Sequence, residues 1–156
     1  MAGALDQQHL VGFSVGGEEF GIDILRVQEI IRMMDITHIP RAPEFVEGVI
    51  NLRGRVIPVV DFRRRFRLEH ESEVSAESRR IVVIEVAGVT IGFIVDGVSE
   101  VRKLTQDQIA PAPPVVRGKG GEAIAGVGMV SDRMIILLDI DRFFTTDELG
   151  EVAQAA

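Results

Sequence analysis

Reactive side chains are sparse in this 156-residue sequence and do not converge. With no cysteine there is no thiolate nucleophile, no disulfide framework and no thiolate metal site. Ser14 stands in Gly12-Phe13-Ser14-Val15-Gly16, the letters of a G-x-S-x-G elbow, but on a hairpin strand rather than at the strand-to-helix turn that would lift a nucleophile clear of its backbone; the serines at 72, 75, 78, 99 and 131 lie outside any such pattern. His9, His38 and His70 lack the H-x-x-x-H or H-E-x-x-H spacing that sets two imidazoles on one metal. His38, beside Ile39-Pro40, reads as a half-buried loop residue. Gly118-Lys119-Gly120-Gly121 is missing the leading glycine and the Ser/Thr of a phosphate loop. Asp61 and Asp139 follow apolar runs at matching places, but acid catalysis needs a second carboxylate converging on one of them, so both read as helix N-caps. What is left is recognition. Glu29 stands among aliphatics and should not be buried unpaired. Arg53, at a tight turn, is its natural partner. Flanked by Val27, such a pair would give a binding face one oriented charge pair; a plain surface salt bridge, worth ~0–1 kcal/mol, fits equally well.

The elements that must position these groups are mainly strands. Residues 46–62, VEGVINLRGRVIPVVDF, read as two β-rich runs around Arg53-Gly54-Arg55, a hairpin with Asn51 and Arg53 at its tip. Pro58 cannot donate to a ladder, which predicts a free or bulged edge there. Upstream, His9 to Val15 and Glu18 to Asp23 form a hairpin about Gly16-Gly17, and Ile24-Leu25-Arg26 a helical turn. Val27 to Met33 fits a strand or a helix, since Ile24, Val27, Ile30 and Ile31 also make a helical stripe. Pro40 and Pro43 make 37–44 an extended connection. RRRFR at 63–67 reads as a solvated helix end with Phe62 and Phe66 turned inward, and the Glu/Ser-rich stretch from Glu69 to Ser78 as a link between two halves. Residues 80–87 and 89–95 are strands joined at Gly88, and Val98 to Leu104 continues as a strand. Thr105 caps a short turn, and Pro111, Pro113 and Pro114 end regular structure. Ile124 to Val130 and Met134 to Ile140 pair about Ser131-Asp132-Arg133, and a helix follows from Asp141, anchored by Phe143 and Phe144.

Whole-chain numbers narrow the class of partner. Hydrophobic residues at 46% predict a packed globule. With 24 acidic and 17 basic residues the net charge is -7, which disfavours nucleic acid, because phosphate binding needs a basic surface. No apolar run approaches the ~20 residues of a membrane span. The start, MAGALDQQH, has neither the basic nor the apolar segment of a signal peptide. The expectation is a soluble cytoplasmic protein with no cofactor.

The chain also resembles itself. Gly21 to Ile30 parallels Gly92 to Val101, and Glu44 to Phe66 parallels Glu122 to Phe144. Gly48 matches Gly126, Arg55 matches Arg133, Ile57 matches Ile135, and Asp61 matches Asp139. One half is too small for its own core. Two packed together predict a mostly β molecule, two small β-barrels with a groove between them. The expected division is 9–68 with 139–147 for the first barrel and terminal helix, and 79–138 for the second. The hairpin tips differ: Asn51-Leu52-Arg53-Gly54 in one half, Met129-Val130-Ser131-Asp132 in the other.

FGIDILRVQEI (20–30), VEGVINLRGRVIPVVDFRRRF (46–66), IGFIVDGVSEV (91–101) and DRMIILLDI (132–140), in this order, resemble the CheW family of chemotaxis coupling proteins. The likeness covers nearly all of 9–147. It implies a single CheW-like domain of two five-stranded SH3-like barrels, with short helices at the connections and C-terminus. It implies a non-catalytic adaptor, associated with membrane-anchored receptor arrays, that couples the cytoplasmic tips of methyl-accepting chemoreceptors to the regulatory domain of the histidine kinase CheA. A related array with another output, such as pilus motility, is the alternative. Carried onto this chain, Val27, Glu29, Asn51, Arg53, Gly92, Val98 and Val101 would line or support the receptor groove, and Ile24 and Gly48 would face the kinase.

Overall fold

A computed structural model describes residues 8–66, 76–111 and 123–155. The glycine run at 118–121 and all but the last residues of the acidic link lie outside them. Strands β1 (Gln8–Val15) and β2 (Glu18–Asp23) turn on Gly16-Gly17, whose positive φ angles of 59° and 81° suit glycine. A single 3-10 turn, Ile24–Arg26, leads into β3 (Val27–Arg32). The ambiguous segment is therefore a strand. Its exposure alternates residue by residue, as a half-covered edge strand requires. Then come β4 (Val46–Leu52), β5 (Arg55–Asp61) and α1 (Phe62–Arg65). The second half runs β6 (Arg80–Val86), β7 (Val89–Val95), β8 (Gly97–Leu104), β9 (Ile109–Ala110), β10 (Ile124–Val130), β11 (Arg133–Leu138) and α2 (Thr146–Ala155). The helix expected from Asp141 begins only at Thr146; a 3-10 turn, Ile140–Arg142, precedes it, with Phe143 and Phe144 buried between. Thr145 starts α2 with a reciprocal capping box, its Oγ1 accepting from the Glu148 amide at 3.1 Å while Glu148 Oε1 accepts from the Thr145 amide at 2.9 Å.

Two sheets result, ordered β3-β6-β7-β5-β4 and β8-β1-β2-β11-β10-β9. The second has six strands where five are expected, the extra one being the two-residue β9. The strands do not divide at the link. Hairpin β1–β2 joins β8–β11, and hairpin β6–β7 joins β3–β5, so the expected partition into 9–68 and 79–138 does not hold. Each half lends its first hairpin to the other half's sheet. The reason lies in the edges: β2 meets β11 and β7 meets β5 in parallel register, pairings that only distant segments can supply. Pro58 is not at an edge either. β5 is interior, and Pro58 is tolerated because the ladder to β7 begins one residue later, at Val59↔Gly92.

The chain leaving each edge strand returns to the opposite edge of its sheet. After β3, Thr37 exchanges two backbone hydrogen bonds with Val49 of β4, at 2.8 and 2.9 Å. After β8, Ala110 of β9 pairs with Val127 of β10. Gly48 and Gly126 lie at matching bulges beside these contacts. A Cβ on Gly48 would collide with the Thr37 carbonyl, and one on Gly126 would come within 2.8 Å of the Ala110 carbonyl oxygen.

Each sheet wraps its own apolar cluster. One holds Ile50, Ile57, Val59, Ile81 and Val83, the other Leu10, Leu104, Ile135 and Leu137. A larger third cluster joins the sheets. All eight phenylalanines belong to one network of ring contacts. Phe62 is at its centre, with centroids 5.2 Å from Phe13, 4.9 Å from Phe20, 5.8 Å from Phe93 and 5.2 Å from Phe143. These rings come from both sheets and both connecting turns, so the contact between sheets is core rather than a loose interface.

Candidate functional site

Glu29 and Arg53, the two charges that the sequence suggests as partners, form an ion pair at the surface. β3 places Glu29 on its half-covered side, and the β4–β5 turn delivers Arg53 to it. Arg53 takes a left-handed conformation, φ 54°, and Gly54 follows at 83°. Asn51 fixes this turn through its Oδ1, which accepts from the Gly54 amide at 2.9 Å. Arg53 then donates through both terminal nitrogens to Glu29, at 2.7 and 2.8 Å. This is the two-pronged geometry that orients a guanidinium as well as attracting it. Hydrogen bonding from Arg53 holds the Glu29 carboxyl below its ordinary range, and Glu29 in turn raises the Arg53 guanidinium. Arg53 remains 73% exposed, so a partner can reach it.

Val27 shares the half-covered face of β3 with Glu29. Val27 and Val98, at matching places on β3 and β8, both pack half-buried against the cluster between the sheets, and Val101 is 50% exposed. Gly92 is different. It is buried in β7 between Val59 and Val83, and a Cβ there would come within 2.7 Å of Ile81. It supports the sheet from within and presents no surface. Ile24 is half-buried on the 3-10 turn, where Asp23 Oδ1 accepts from the Leu25 amide at 2.9 Å. Gly48 is buried at its bulge.

The remaining polar groups have structural work. Asp61 Oδ1 accepts from the Arg63 amide at 3.0 Å and Asp139 Oδ1 from the Asp141 amide at 3.1 Å, so both are caps. Within the basic run, Arg64 pairs with Glu47 at 3.2 Å, while Arg65 pairs with Glu148 and lies over the rings of Phe45, Phe143 and Phe144. Two features escape the sequence reading. Leu25 is 87% exposed beside Ile24, which only the outward direction of the turn reveals. Arg26 makes a two-pronged pair with Asp141, at 2.9 and 2.8 Å, across 115 residues of sequence, where no local signal exists. Among the described residues no cluster of three or more His, Asp or Glu is placed to hold a metal ion, and no helix is long and apolar enough to cross a membrane.

Two interleaved β-sheets carrying an oriented, accessible ion pair among aliphatics define a recognition scaffold. Residues 9–148 match the CheW-like domain, and the chain belongs to that family. It is 38% identical over its full length to a chemotaxis protein CheW of Klebsiella aerogenes, covering 93% of that protein. It is 35% identical to the Treponema pallidum chemotaxis protein CheW, over 95% of this chain and 88% of that one. The crystal structure of a scaffolding protein, TtCheW, from Thermoanaerobacter tengcongensis superposes with a TM-score of 0.81 at 37% identity, covering 90% of each chain. The protein is an adaptor in chemotaxis signalling, and these relatives favour that role over another array output.

Proposed function

We propose that this adaptor couples the cytoplasmic tips of methyl-accepting chemoreceptors to the regulatory domain of the histidine kinase CheA, in the cytoplasm, without making or breaking bonds and without a cofactor. The observation that carries the reading is the Glu29–Arg53 pair, held in two-pronged geometry yet largely open to solvent. Val27, Val98 and Val101 supply apolar area around it and Asn51 holds the tip; Gly92 keeps the sheet beneath in shape. A receptor's helical hairpin would be gripped by aliphatics and kept in register by one charge pair. Ile24, with Leu25 beside it, and the strand end at Gly48 would face the kinase, whose similar domain pairs end to end with this one.

The test is reconstitution with receptor and kinase. Glu29→Lys and Arg53→His are expected to abolish receptor-stimulated kinase activity while leaving the thermal transition within a few degrees, since a solvent-screened surface pair contributes little to folding. His is tolerated at the left-handed turn position. Normal coupling by both variants would remove the groove from contention.

A further inference from the structure

The duplication gives the proposed groove two walls with the same backbone and different chemistry. Val27 pairs with Ile84 and Val98 with Phe13, and Ile30↔Val82 is repeated as Val101↔Val11. Glu29 and Glu100 therefore hold equivalent places on β3 and β8. The tips correspond as well: Arg53 has φ 54° and Ser131 has φ 55°. Asn51↔Val56 at one tip is Met129↔Met134 at the other, both methionines exposed.

Only one wall completes its charge pair. Arg53 reaches Glu29, whereas Ser131 is too short to reach Glu100. Among the described residues Glu100 is exposed and has no ion pair. Its neighbour Arg102 is turned to Glu19 at 3.7 Å, and Arg133 reaches Glu19 at 3.3 Å. One wall thus offers a neutralised pair, the other an uncompensated carboxylate beside exposed Val101 and a thioether-lined tip.

We infer that the Ser131/Arg53 difference sets which way round a docked helical hairpin lies: the arm bearing a lysine or arginine goes to the Glu100 wall. This rests on the receptor-groove reading above. A hairpin of two similar antiparallel helices has near-twofold symmetry, and so does the groove. Two orientations are therefore close in shape, and the charge asymmetry is what separates them for an arm that carries a cation. The preference should be about fivefold, the ceiling for one exposed ion pair.

The chain has no cysteine, so Lys103→Cys on β8 provides a single cross-linking site. The probe is a chemoreceptor tip hairpin with one cysteine in either arm. One arm should cross-link in roughly fivefold excess. Ser131→Arg, which supplies the missing cation, and Glu100→Gln, which removes the anion, should each bring the ratio close to one. A ratio unmoved by both variants overturns the orientation rule. Parity in the starting protein overturns it too, and capture that is still lost with Glu29→Lys would leave the groove standing. Failure of the hairpin to dock at all would sink both.

Discussion

Glu29 shows how far a single residue can be read from its neighbours. A carboxylate among Val27, Ile30 and Ile31 has to find a cation, and a turn carrying Arg-Gly-Arg is the obvious source. What the sequence withholds is the two-pronged geometry, which depends on the left-handed backbone at Arg53 and the Asn51 bond beneath it. The pair makes the Glu29 titration a direct readout. Its carboxyl is held below the ordinary range in the folded protein. The contribution of the pair is therefore complete above the unfolded carboxylate value, about 4.3, and is lost as pH falls through the lower folded value. Carbon-detected NMR should find Glu29 titrating below the ordinary carboxylate range, and Arg53→Ala should return its midpoint to that range. Equal midpoints in the two proteins would mean that the pair is not formed in solution.

At the scale of elements, hairpins announce themselves and closures do not. Gly-Gly, Arg-Gly and Ala-Gly turns between β-rich runs mark β1–β2, β4–β5 and β6–β7 without ambiguity. The Thr37–Val49 and Ala110–Val127 contacts leave only one trace, a glycine at the same place in each repeat. Gly48 is assigned to the kinase face by resemblance, yet it has a steric reason of its own. Gly48→Ala should cost about 1–3 kcal/mol, the usual strain of forcing a side chain into a sparsely allowed conformation. Gly126→Ala meets only the carbonyl contact and should lose less. Urea denaturation of the two variants measures this. A Gly48→Ala protein of undiminished stability would return the position to a purely binding role.

For the molecule as a whole, the sequence yields the duplication, the class and most strands, but not which strand belongs to which sheet. β1–β2 and β6–β7 carry the same alternation and similar lengths, so either could serve either sheet by local criteria. The choice is made by pairings between residues far apart in sequence, which leave no periodic signature. The phenylalanine network ties the outcome together. Phe62→Ala removes the ring common to both sheets and should cost about 3–5 kcal/mol, a large share of the 5–15 kcal/mol typical of a folded domain. Both sheets should then lose protection together in hydrogen exchange. Separate transitions would show that the shared cluster does not couple them.

The crossed-over hairpins carry one more implication. If the backbone were severed anywhere between Phe66 and Ala76, neither fragment could complete a sheet alone, for each would carry two strands of one and the remainder of the other. Co-expressed, the fragments should recognise each other and reconstitute an active adaptor from two polypeptides.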